Sequence, residues 1–254
     1  MTARGGSEGE VAEQVVHALR ADRGGLDTLV TGSAAFLVDF KAEIVRKLPY
    51  GLALIGAATL VLLFLMTGSL LVPVKALVMN VLSLGATFGA LVWVFQEGHL
   101  SGLLGFEPAG GVLLFVPIIV FVFGFGLSMD YEVFLLARIQ ELHAAGFDND
   151  TAVALGLQRS GRIITSAALL VVLVFAGFGL GELLSIKQVG IALALAVAVD
   201  ATLVRCLLVP ATMTLLGDRN WWAPRPLRGL HDRIGLSEVP SPPAVAHASG
   251  PQGV

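Results

Sequence analysis

The chain has 254 residues, 56% of them hydrophobic and 14% charged, with a formal net charge of -3 and a mean hydropathy of +0.83. That balance belongs to polytopic membrane proteins and argues against a soluble enzyme; the basic residues lie between apolar runs and form no extended face for nucleic acid. One cysteine, Cys206, excludes an internal disulfide framework and paired metal-ligand spacing.

In chain order, the first residues lack the short apolar core of a secretory signal. A helix is predicted over about 8–20, a strand-like stretch at Thr28–Gly32, and a helix over about 34–47. Residues 1–48 therefore read as the end of an extracytoplasmic α/β subdomain, too small for a good core of its own. Its remaining strands are expected on another polypeptide, or lost.

Five runs then meet the requirement of about 20 mostly apolar residues per bilayer crossing, near 49–72, 74–95, 112–139, 163–184 and 189–216. The expected fold is an all-α polytopic membrane protein with its helical domain at 49–216. Pro73 separates the first two runs, which form a hairpin with a tight link. Gln96–Gly111 reads as an exposed loop, Gln140–Gly161 as a polar stretch carrying a surface helix, and Gly179–Gln188 as the turn of the last hairpin. Residues 217–254 form a cytoplasmic tail, disordered from about 237.

Short loops rich in Lys and Arg stay cytoplasmic. Lys75, Arg138, Arg159, Arg162, Arg219, Arg225, Arg228 and Arg233 fall on one side, against Lys187 in the short loops of the other. The C-terminus is assigned inside and the N-terminal segment outside, in the cell membrane. Arg46 and Lys47 oppose this locally, because they precede the first span and favour an inside N-terminus.

The third run carries Asp130, Tyr131 and Glu132. An acid at mid-membrane costs about 2.5–3.5 kcal/mol on insertion scales, so such residues face a protein interior or water and mark ion or proton paths. Gly126, Asp130 and Phe134 share a helix face, with Ser128 and Tyr131 adding hydroxyls, which gives a proton a route through Asp130, Tyr131 and bound water. The alternative is that Asp130 only bonds neighbouring helices. Glu132 is expected nearer the cytoplasmic end, beside water and Arg138, either as a supporting group or as an interface residue. In the last run Ala192, Ala196 and Asp200 share a face, with Arg205 beyond. Asp200 is either a second titrating group or, the preferred reading, a structural partner for a basic or polar group. Gly85-Ala-Thr-Phe-Gly89, Ser83 and Ser166 read chiefly as helix-packing features. The five histidines are scattered and suggest no metal site, and no phosphate-binding loop is present. No cofactor and no enzymatic activity are expected, so any energy must come from a gradient.

Gly126-Leu-Ser-Met-Asp-Tyr-Glu-Val-Phe-Leu-Leu-Ala-Arg138 resembles the signature of the MMPL transporters of the RND superfamily. Asp39-Phe40 with Leu48-Pro49, Lys75-Ala-Leu-Val-Met-Asn-Val-Leu-Ser83-Leu-Gly-Ala, Arg162-Ile-Ile-Thr-Ser166-Ala-Ala, Asp200-Ala-Thr-Leu-Val-Arg205 and Trp221-Trp-Ala-Pro extend the likeness over about 28–238, in the family's order. The resemblance implies a twelve-helix, two-repeat exporter of lipids or hydrophobic compounds driven by protons. This chain corresponds to its last five helices and the end of the second porter domain. It implies Asp130 and Tyr131 as one of two proton-relay pairs, and membrane lipids, protons, a hydrophobic substrate and a complementary N-terminal half as partners. Met66-Thr-Gly-Ser departs from the family, which often has an Arg before the Ser. The competing expectation is a remnant or scaffold membrane protein without transport of its own. A sterol-sensing or protein-translocation relative of the superfamily fits the signature less well.

Overall fold

The computed structural model describes residues 10–21, 29–107 and 111–234. The chain forms two compact units, residues 1–58 and 59–254. In the first, α1 (Glu10–Ala21) packs on the start of α2 (Ser33–Thr67) through Val16, Ala35 and Val38. Arg20 binds Asp39 bidentately at 2.5 and 2.8 Å, and Lys41 pairs with Glu13. Leu29–Thr31 are not a strand; Thr28 and the residues from 235 onward, where the disordered tail was expected, lie outside the described residues.

The predicted helix over 34–47 and the first span are one helix. Pro49 lies inside α2, where its ring nitrogen has no hydrogen to donate, so one backbone bond is missing from the helix. The hairpin turn is also displaced from Pro73. It falls at Gly68, whose φ of +66° suits glycine, and Pro73 stands in the first turn of α3 (Leu71–Leu91), where an amide has no intrahelical partner to lose.

After a π-helical turn at Val92–Gln96, the predicted exposed loop folds back as a cap. It contains the short α4 (Ser101–Leu104). Leu100, Leu104 and Phe106 pack on the apolar cluster around Phe95 and Val120, and Trp93 stacks on His99. Lys187, buried rather than in an open loop, donates to the carbonyls of Leu104 and Gly105. Gln188 accepts from the Leu113 amide at 3.2 Å.

α5 (Phe115–Ala144) and α6 (Asn149–Phe178) are both longer than expected. No separate surface helix occupies the polar stretch, because α6 begins at Asn149 and runs on. Ala152, Gly156, Ser160, Ile164 and Ala168 are its buried stripe, while Arg159 and Arg162 are exposed. A Cβ on Gly156 would meet Ile139 at 2.6 Å, so the bare glycine permits the approach of α6 to α5. The last span combines α7 (Leu184–Val199), a π-helical segment (Asp200–Leu208) and α8 (Val209–Leu216). A 3-10 turn (Gly217–Trp221) and α9 (Arg225–Ile234) follow.

Five helices are long and apolar enough to cross a membrane: Ser33–Thr67, Leu71–Gln96, Phe115–Ala144, Asn149–Phe178 and Leu184–Trp221. In the second unit α5, α6 and α7 pack together, with α3 against α5 and α7. Two apolar clusters divide this bundle. One gathers Val72, Leu136, Ile139, Ala152 and Met213; the other gathers Leu91, Phe95, Val120 and Leu193. On α3, α5 and the last span, the residues between the clusters include buried polar groups.

Candidate functional site

The π-helical segment sets the geometry of that polar layer. Residues five apart in an α-helix point about 140° away from each other, whereas the i to i+5 bonding of a π-helix brings them toward one side. Asp200 and Arg205, both buried, thus meet: Arg205 Nε and Nη2 donate to Asp200 Oδ2 at 2.8 and 2.5 Å. Ser128 Oγ donates to Asp200 Oδ1 at 2.6 Å, and Arg205 Nη2 also reaches the Ser128 carbonyl at 2.6 Å. Arg205 lies over the Tyr131 ring, 4.9 Å from its centroid, close enough for a cation–π contact.

Ser128 and Glu132, four residues apart, occupy one buried face of α5. Glu132 is 3% exposed, not near water and Arg138 as expected from sequence. Arg138 instead pairs with Glu141 at 2.5 Å. Lys75, Asn80, Ser83 and Thr87 are the buried polar residues of α3. Lys75, Asp200 and Arg205 all lie within electrostatic reach of Glu132.

Asp130 stands apart from that buried face. It is exposed on the five-helix chain, because two residues of helix turn it about 200° from both Ser128 and Glu132. Ser128 serves Asp200, not Asp130. The face that Asp130 shares with Gly126 and Phe134 is open: a Cβ on Gly126 would meet nothing within 4 Å, and Phe134 is exposed. The Gly85 and Gly89 pair is equally open and holds no helix close in this chain. Ser166 is exposed, and its hydroxyl bonds the carbonyls of Arg162 and Ile163 in its own helix. It joins no site. The Ala192 and Ala196 stripe is buried.

A second polar knot went unread in the sequence. Buried Asn220 donates to the carbonyls of Met213 and Gly217 at 2.6 and 2.8 Å, and Asn149 donates to the same Met213 carbonyl at 3.0 Å. Ser69 Oγ donates to the Asn220 carbonyl, and the Leu70 amide to that of Trp222 at 3.1 Å. The α2–α3 turn, the start of α6 and the end of α8 are tied together there. A run of Ser, Asn and Trp at helix ends was the available signal. Among the described residues no cluster of His, Cys, Asp and Glu is arranged to hold a metal.

A bundle of membrane-length helices enclosing a charged layer defines a polytopic membrane protein. The MMPL family model matches residues 2–243, and the chain belongs to that family. It is 47% identical over 242 residues to the putative membrane protein SCO6666 of Streptomyces coelicolor, covering 95% of this chain and 34% of that protein. It is 42% identical over 220 residues to the trehalose monomycolate exporter MmpL3 of Mycobacterium tuberculosis, covering 86% of this chain and 23% of that protein. The heme uptake protein MmpL11 of the same species is 40% identical over 196 residues, 77% of this chain and 20% of that protein. The chain thus spans about a third or less of the length of these relatives.

Proposed function

We propose that this chain is the C-terminal membrane part of an MMPL-type exporter, moving lipids or other hydrophobic compounds outward as protons enter. Asp130 carries the proton, and Tyr131 relays it. The observation that carries this reading is an acid exposed on an otherwise apolar face of α5. An uncovered carboxylate in hydrocarbon is costly, so this face calls for further helices, and Gly126 leaves room for a backbone to approach. Tyr131, adjacent to Asp130, is clamped from the inner side by Arg205. A complementary transporter half is the natural cover, and with it the relay is enclosed. The C-terminus is cytoplasmic in this arrangement, with residues 1–48 as the end of an extracytoplasmic porter subdomain. The lipid class of the substrate is drawn from the trehalose monomycolate exporter MmpL3, to which the chain is 42% identical over 220 residues.

The test is Asp130→Asn in the producing cell. Export of the lipid cargo is expected to fall to background while the variant's abundance in the membrane stays unchanged. Undiminished export at normal abundance overturns the reading.

A further inference from the structure

Two acids lie buried between the apolar clusters, and their surroundings differ. Asp200 is fully engaged, one oxygen by Ser128 and the other by Arg205. Glu132 is not: its Oε1 is buried and makes no hydrogen bond. The same is true of Lys75 Nζ, both amide atoms of Asn80, and Arg205 Nη1, although Lys75 is only 8% exposed and Asn80 only 1%. Buried polar atoms in folded proteins find partners, and where side chains supply none, ordered water does.

We propose that Glu132, with Lys75 as counter-charge, is a second proton-holding site, water-linked, inside the bundle and separate from the Asp130 face. Its purpose rests on the proton-coupled reading above, but its existence rests on this geometry. The charged groups within electrostatic reach of Glu132 are Lys75 from α3 and Asp200 and Arg205 from the π-helical segment. Tyr131 on α5 lies under Arg205. The buried face of α6 adds no acid or base, and that of α7 adds Lys187, which is spent on the carbonyls of Leu104 and Gly105. With both acids ionised, the two cations and two anions of the layer cancel. A hydronium ion beside Glu132 transfers its proton to Oε1 and becomes water, and the layer then holds one positive charge. Release returns that proton to water.

Infrared difference spectra between acid and alkaline pH, on the full chain in lipid nanodiscs, test this. Glu132 is the one buried glutamate among the described residues, so the unmodified chain is expected to show a protonated-carboxyl stretch that shifts when glutamate side chains are labelled with carbon-13. The band should vanish in Glu132→Gln, persist in Asp130→Asn, and titrate with a midpoint moved by at least one pH unit in Lys75→Met. Absence of a label-sensitive band in the unmodified chain overturns the proposal, whether or not the variants fold. So does a band that survives Glu132→Gln, or an unmoved midpoint in folded Lys75→Met. Failure of the export reading would appear instead as export by Asp130→Asn, with the glutamate band unaffected.

Discussion

Arg205 shows how much one side chain can organise in a low-dielectric layer. Its guanidinium joins Asp200, the Ser128 carbonyl and the Tyr131 ring at once, a use of planar, fork-shaped geometry that Lys cannot reproduce. Breaking a buried pair from one side leaves an uncompensated charge and costs about 3–5 kcal/mol, whereas neutralising both members costs far less. Arg205→Met is therefore expected to destabilise the bundle by about that amount, and adding Asp200→Asn should restore most of it. Unfolding in a graded denaturing detergent measures both. Equal loss in the single and double variants would argue against the pair.

At the scale of elements, close approach depends on particular glycines. A Cβ on Gly190 would meet the Phe175 carbonyl oxygen at 2.6 Å and Phe178 Cβ at 2.5 Å, backbone and backbone-proximal atoms of α6 that cannot swing away. Gly190→Ala is expected to cost about 1–3 kcal/mol through overpacking, while Gly85→Ala and Gly89→Ala, with nothing within 4 Å, should be close to neutral in this chain. The same detergent titration separates them. The start of α6 is capped by Asp148, whose carboxylate accepts from the Thr151 amide at 3.1 Å. The Thr151 hydrogen bonds hold that carboxyl below its ordinary value. Because the folded value is depressed, the cap's contribution is complete above the ordinary range near pH 4 and fades as pH falls through the folded value. Asp148→Ala should accelerate hydrogen exchange at the first turn of α6 at neutral pH and remove that acid dependence.

At the scale of the whole molecule, the proposed topology makes a prediction about sidedness. With the exposed Cys206 replaced by serine, a cysteine at Phe36, which is exposed, is expected to react with an impermeant reagent only from outside. One at Phe147, the exposed tip between α5 and α6, should react only from inside. The reverse pattern would mean that Arg46 and Lys47 hold the N-terminal segment in the cytoplasm.

Hydrophobic run lengths by themselves determined the five spans and the all-α class, because a bilayer core demands a minimum length whatever the packing. The motif around Asp130 likewise carried the family, and the spacing of Ala192 and Ala196 the buried face of α7. Sequence periodicity misplaced what depends on backbone detail. Pro73 read as a boundary, but it occupies the first turn of α3, where its missing donor costs no helical bond. The choice of which acid turns inward was left to the tertiary structure. Asp130, Glu132 and Asp200 are equally polar on paper; helix rotation exposes the first and buries the second. A π-helical segment, invisible to 3.6-residue counting, swings Arg205 onto the third.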